Sequence, residues 1–178
     1  MRRIWLYAVV VFVFAAAVGL IGFHTTVPGP LREPWMYKGA YVEYYAKAYG
    51  FSFTYSARII EVRGCAAKVL CSWLNVSEAK IFCNGTWKGD CIPTFFKFKD
   101  STPELSMFEN YALSLEEAKT GYGIRKAWHV EVFDEKAGVK VEMWVDTEAH
   151  ILLRTVITQQ GVEIVRLELK ETNIIEKI

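Results

Sequence analysis

Two pairs of carboxylates are the residues best suited, by type and spacing, to general acid–base catalysis. Asp146 and Glu148 stand two positions apart, and Glu131 would face Glu142 across a predicted hairpin. Such pairs do this chemistry when their surroundings separate the two pKa values. Basic side chains alternate beside both pairs, on strands with a polar outer face. We therefore interpret all four residues as surface carboxylates.

No other motif indicates catalysis. The histidines are His24, His129 and His150, and they form no H-E-x-x-H motif. The sequence also has no G-x-S-x-G elbow and no glycine-rich phosphate loop. His24 would stand at a membrane edge, while His129 and His150 alternate with buried positions of predicted strands and should face solvent. We expect no catalytic residue, no metal site and no cofactor.

The four cysteines predict two disulfides. Their spacing does not match the short paired cysteines of zinc sites. If residues 66–76 form a strand, about 20 Å would separate the Cα atoms of Cys65 and Cys71, which excludes that pair. A hairpin centred on Ser77 would then place Cys71 opposite Cys83, with Cys65 near Cys91. We favour this nested pairing.

Two N-glycosylation sequons lie among the cysteines, at Asn75 and Asn84. A sequon that is used lies on exposed chain outside the membrane and carries a bulky sugar. The alternative, in which one or both are unmodified turn residues, stays open.

Residues 4–23 form an apolar run without a charge, and Arg2 and Arg3 precede it. A helix of that length spans about 30 Å, the thickness of the hydrocarbon core of a bilayer. The basic flank stays in the cytoplasm. We therefore predict a single-pass anchor in the cell membrane over residues 1–24, with the remainder extracytoplasmic. A cleaved signal peptide is the alternative, but the run is longer than the core of about 7–15 residues typical of signals.

The formal net charge is +1, from 21 basic and 20 acidic residues. This balance gives no electrostatic reason to expect nucleic acid as a partner. Residues 25–37 include Pro28, Pro30 and Pro34, which favour a short, stiff, extended connector. Residues 38–178 are then long enough for one extracytoplasmic domain.

Short β-branched and aromatic runs separated by turn residues predict a mainly β domain. We expect a curved, half-barrel-like antiparallel sheet. Residues 52–63 and 66–76 predict two paired strands, and residues 128–170 predict a four-stranded meander. Residues 103–119 have weak helical spacing and a capping-box pattern beginning at Ser114. They predict one short helix, which would cover the open face of the sheet.

Three stretches resemble small membrane-anchored surface proteins of archaea. They are KGAYVEY at 38–44, MWVDTE at 143–148 followed by ILLR at 151–154, and ETNI at 171–174. The second stretch also resembles the last hairpins of the lipoprotein-carrier fold, a half-open β-barrel that holds acyl chains. Here Ala149 and His150 replace the glycine expected in that turn. The resemblance implies a fold and an extracytoplasmic location, and its motifs carry no chemistry.

These features predict a non-catalytic accessory or structural domain at the membrane that binds another membrane or envelope protein. The alternative is a carrier or sensor of a lipid or other apolar ligand, held on the concave face of the sheet. That alternative requires a cavity of about 300 Å³ or more. Its expected contact residues are Phe53, Tyr55, Val141 and Met143.

Overall fold

The computed structural model describes residues 33–73, 76–135 and 137–177. The predicted anchor over residues 1–24, which includes His24, and the sequon residue Asn75 lie outside the described residues. Within the part of the chain that is described, no helix is long and apolar enough to cross a membrane.

The described residues form one ten-stranded antiparallel sheet and a separate two-stranded ribbon. The strands of the first half are β1 Tyr41–Ala48, β2 Phe51–Arg63, β3 Ala66–Ser72, β4 Val76–Ile81 and β5 Trp87–Gly89. The ribbon consists of β6 Phe98–Lys99 and β7 Thr102–Pro103. The second half contributes β8 Ala112–Thr120, β9 Gly123–Asp134, β10 Val139–Asp146, β11 Leu152–Gln159 and β12 Val162–Thr172, followed by a 3-10 turn over Ile175–Lys177.

The first strand pairs with the last in the middle of the sheet. Val42 of β1 lies opposite Ala57 of β2 on one side and opposite Thr172 of β12 on the other. Each half of the chain is therefore a meander, and the two meanders meet at β1 and β12. Strands from the middle of the chain, β5 and β8, form the two edges of the sheet.

The segment 90–111 joins the two edges and covers one face of the sheet, which we call the inner face. The hydroxyl of Tyr44 donates a hydrogen bond to the carbonyl of Leu152 at 2.8 Å, and that of Tyr55 donates to the carbonyl of Ile92 at 3.1 Å. Burial raises the pKa of both hydroxyls, so both remain protonated donors. The Tyr55 bond and the hydrogen bond from the Leu152 amide to the carbonyl of Thr94, at 2.9 Å, fix the covering segment over the core, whereas the Tyr44 bond joins β1 to β11.

Residues 33–37, which the sequence assigns to the connector, pack against the same segment. Trp35 is fully buried, and its indole N–H donates to the carbonyl of Phe96 at 2.8 Å. The Glu33 carboxylate accepts a hydrogen bond from the Phe98 amide at 3.1 Å and forms a second hydrogen bond with Nδ1 of His150. His150 stacks on Phe98 and has φ +55°, the left-handed conformation for which glycine is expected.

The mainly β antiparallel fold is confirmed, including β2 and the meander of β9 to β12. The short helix predicted within residues 103–119 is wrong. Residues Ala112–Thr120 instead form β8, which pairs with β9 along its whole length. The Ser114 hydroxyl bonds to the Glu116 carboxylate at 3.0 Å and caps no helix. Pairing with β9 outweighs a local helical pattern that was weak.

The two disulfides are confirmed, but the favoured pairing is wrong. The bonds join Cys65 to Cys83 and Cys71 to Cys91, with Cα separations of 4.9 and 5.9 Å. In the hairpin of β3 and β4, Cys71 lies opposite Ser77, so the turn precedes Ser77 and is not centred on it. The same register, continued to the other end of the hairpin, brings Cys65 opposite Cys83.

We predict that peptide mapping under non-reducing conditions recovers these two linkages. Replacing Cys71 and Cys91 together with serine should lower the free energy of unfolding by about 3 kcal/mol, because the bond closes a long loop in the unfolded chain. Urea unfolding of the oxidised protein measures this loss. A linked peptide that joins Cys71 to Cys83 would contradict the register described here.

Candidate interaction site

β8 is an open edge of the sheet. It pairs with β9 in an unbroken register from Ala112 to Thr120, with no bulge. No second described strand pairs with it. An unpaired strand edge is a template for another chain, and proteins usually protect it with short strands, bulges, proline or covering segments. β8 has none of the first three devices.

The opposite edge is protected. β5 is only 3 residues long, and its Trp87 is buried, with the indole N–H donating to the carbonyl of Cys91 at 3.0 Å. Cys91 is in turn bonded to Cys71 of β3. The exposed sequon residue Asn84 lies in the turn before β5, where its side chain accepts a hydrogen bond from the Thr86 amide at 3.2 Å.

Alternate residues of β8 direct their backbone groups away from the sheet. Thr120 and Gly123 are the last pair before the hairpin turn, so the even-numbered residues of β8 exchange hydrogen bonds with β9. The backbone of Lys126, which lies opposite Glu117, confirms this pattern. Its carbonyl accepts a hydrogen bond at 3.1 Å from the amide of Thr147, just after β10, and therefore points away from β8. The N–H and C=O groups left for another strand belong to Leu113, Leu115, Glu117 and Lys119.

The side chains of these four residues form one row on the inner side of β8, which we call the edge row. Leu113 is half-buried against the core, whereas Leu115, opposite Trp128, is 57% exposed. Glu117 and Lys119 are exposed. A strand added to this edge would therefore meet two apolar side chains, then an anion, then a cation.

On the outer side of β8, Glu116 connects the edge to the neighbouring strands. Its carboxylate accepts a hydrogen bond from the indole N–H of Trp144 at 3.2 Å and lies 3.0 Å from Nδ1 of His129. His129 stacks on Trp144, and the guanidinium of Arg154 lies 3.8 Å from the same ring. The hydrogen bond from Trp144 is the main cause that lowers the pKa of Glu116, which keeps the carboxylate ionised.

The prediction that both strand histidines face solvent is wrong, because the side chains of His129 and His150 are only 14% and 19% exposed. His129, Glu131 and Glu142 bring ligand atoms within 4.8 Å of one another, a donor set that suits zinc. The ammonium of Lys140 already lies 2.7 Å from Glu131 and 3.2 Å from Glu142. It supplies the positive charge that the two carboxylates require.

The other carboxylate pair fixes a turn. Asp146 is fully buried and accepts two hydrogen bonds from the guanidinium of Arg125, at 2.5 and 3.1 Å. Its carboxylate also accepts from the amides of Glu148 and Ala149, at 2.9 and 2.6 Å. These contacts hold the turn that follows β10, and they leave Asp146 no geometry for acid–base work on a substrate.

The residues expected to bind an apolar ligand do not form one pocket. Val141 and Met143 line an inner-face cavity of about 20 Å³, which has room for about one water molecule. Phe53 lies apart and packs against Trp73, with ring centroids 5.9 Å apart, while the Tyr55 hydroxyl is bonded to the covering segment. An acyl chain needs a far larger space, so this geometry does not favour a carrier.

A shallow groove of about 320 Å³ crosses the outer face at β12, β1 and β2. Its polar groups pair with one another. The Tyr41 hydroxyl donates to the Glu171 carboxylate at 2.5 Å, which raises the pKa of Tyr41 to about 12. Glu43 forms an ion pair with Lys170. Most of the charged side chains of the groove are therefore already paired, whereas Glu117 and Lys119 of the edge row are not.

None of the four residues of the edge row is among the site residues predicted from the sequence. The signal that could have found them is the alternation of Leu113 and Leu115 with polar residues, which ends at the turn residues Gly121 and Tyr122. The capping-box pattern at Ser114 competed with that signal and was preferred.

No family model matches the sequence, and no curated protein matches it either. Solved structures show weak similarity. A crystal structure of MucB is 14% identical, with 79% of this chain and 55% of that chain covered and a TM-score of 0.49. The Pseudomonas aeruginosa MucA/MucB complex is 14% identical, with 79% of this chain and 53% of that chain covered and a TM-score of 0.48. MucB in complex with MucA(peri) is also 14% identical, with 92% of this chain and 55% of that chain covered and a TM-score of 0.46. The chain spans about half the length of these chains.

We predict that Glu116→Ala lowers the free energy of unfolding by about 1 kcal/mol, because a half-exposed charged acceptor is removed from Trp144. Urea unfolding measures this loss of stability, provided that the m-value of the variant equals that of the wild type. Glu117→Ala is the matched control on the same strand and should change the free energy by less than about 0.5 kcal/mol. Equal losses in the two variants would show that Glu116 has no special role at the edge.

Proposed function

We propose that this chain is a non-catalytic extracytoplasmic domain, anchored in the membrane by residues 1–24, that binds an extended segment of another membrane or envelope protein. The segment adds to the sheet as a new strand along β8. The observation that carries the proposal is the long, unbulged edge, with outward-directed backbone groups at every second residue. In this binding mode main-chain hydrogen bonds provide affinity and alternate side chains provide specificity.

The two edges of the sheet support this choice of site. Backbone pairing at the β5 edge is limited to a strand of 3 residues, and a disulfide follows it directly. A glycan on Asn84 would lie beside β5 and would leave β8 accessible. β8 is therefore the edge to which a partner strand can pair over several residues.

The contacts of Glu116 support the proposal in a second way. Hydrogen bonding to Trp144 and the proximity of His129 hold β8 in its strand conformation before any partner arrives. A preformed edge lowers the ordering cost of binding, because only the partner segment must become extended.

The predicted anchor supports a partner in the same membrane or envelope. An anchor over residues 1–24 and a short proline-rich connector would keep the domain close to the membrane surface. Trp35 and Glu33 are already packed into the domain, and in the sequence only residues 25–32 lie between it and the predicted anchor. A protein of the same membrane or envelope is then the partner within reach.

The test uses the full-length chain in detergent and random peptides of about ten residues, roughly the length of a long strand. Peptides selected by display should bind the wild-type chain and lose at least about tenfold in affinity on Leu115→Pro. This change removes an outward N–H and places a ring on the edge, while the hydrogen bonds to β9 remain.

Leu115→Ile is the matched control, since it keeps the N–H group, an apolar side chain and β propensity, and it should retain binding. Circular dichroism checks that both variants keep the fold. Peptides that bind Leu115→Pro as tightly as wild type, or a selection that yields no binding peptide, would contradict strand addition at β8.

A further inference from the structure

The edge row also defines which segment can bind, and this inference rests on the proposed function. We propose that the partner segment runs antiparallel to β8 and places an anion opposite Lys119, a cation opposite Glu117 and apolar residues opposite Leu115 and Leu113. Its four contact residues alternate along the segment, because successive side chains of a strand point to opposite faces.

Glu117 and Lys119 are available for such a partner. Both side chains are exposed, and neither forms an ion pair or a hydrogen bond among the described residues. Glu116, in contrast, is already used by Trp144. Glu117 and Lys119 are therefore the charges of β8 that remain for a partner, and the anion precedes the cation along the strand.

Leu115 supplies the apolar part of the pattern. It is 57% exposed although it lies opposite Trp128 on the face that carries the core. An apolar side chain on an added strand would cover Leu115 and extend the core beyond the present edge. Leu113, half-buried beside it, continues the same apolar surface.

A second copy of this chain does not satisfy the pattern. Two antiparallel β8 strands pair Glu117 with Lys119 in both directions only when they are centred on Ala118. That register leaves Leu115 opposite Gly121 and places Leu113 beyond the end of the partner strand. Registers that bring the leucines together place neither charge opposite a charged residue of the partner's β8. A foreign segment can satisfy all four positions at once.

The size of the effect follows from cross-strand pairs. Directly opposite residues on one face have Cβ atoms about 5 Å apart, and one pair of opposite charges changes affinity by up to about fivefold. Like charges at the same position oppose binding. Exchanging the two charges of the partner segment turns two attractive pairs into two repulsive ones, so we expect a change of about tenfold.

The test compares two peptides of identical composition on the full-length chain. The matched peptide contains Glu-Thr-Lys-Thr-Val-Thr-Val, and the exchanged peptide contains Lys-Thr-Glu-Thr-Val-Thr-Val. Fluorescence anisotropy of the labelled peptides should show about tenfold tighter binding of the matched one. The double variant Glu117→Lys with Lys119→Glu should reverse the preference, because it exchanges the charges on the other side of the interface.

The outcomes separate this inference from the proposed function. Equal affinity of both peptides for both proteins, with binding lost on Leu115→Pro, would overturn the charge pattern and leave strand addition in place. A preference that does not reverse in the double variant would also overturn the pattern. If neither peptide binds any of the proteins at millimolar concentration, the charge pattern is overturned, and strand addition is contradicted as well only if the display selection also yields no binding peptide.

Discussion

The pairing of β1 with β12 in the middle of the sheet determines where the other elements lie. Because the first and last strands meet at the centre, both edges come from the middle of the chain, as β5 and β8. The segment that connects those edges must cross a face of the sheet, and it fills the space that a ligand cavity would need. The same pairing thus places both edges of the sheet in the middle of the chain and closes the inner face.

The two edges differ in length and in protection, and the local sequence is the reason. A disulfide and a buried Trp87 end the sheet at β5, whereas β8 stays long, and contacts of Glu116 hold it in place. Charged residues such as Glu117 and Lys119 discourage unselective pairing along an exposed edge. A partner strand with a cation opposite Glu117 and an anion opposite Lys119 would instead form two favourable charge pairs. The same row of side chains can therefore oppose unselective pairing and favour one complementary partner.

Features governed by local pattern were predictable from the sequence, and features governed by distant contacts were not. Alternation and turn residues correctly predicted β2 and the meander of β9 to β12. β8 was missed because its spacing is ambiguous until β9 lies beside it. The cysteine pairing depended on the exact turn between β3 and β4, and the burial of His129 and His150 depended on Trp144, Phe98 and Glu33. The closed inner face depended on segment 90–111, whose path no local pattern encodes.

Residue-resolved amide hydrogen exchange of the free, full-length protein tests most directly whether the β8 edge is open. The account predicts an alternating pattern along β8. The amides of Leu113, Leu115, Glu117 and Lys119 should exchange almost as fast as unprotected amides, while those of Ser114, Glu116 and Ala118 should be protected by β9. Equal protection of both sets would contradict the account, because it would mean that another strand already covers the edge.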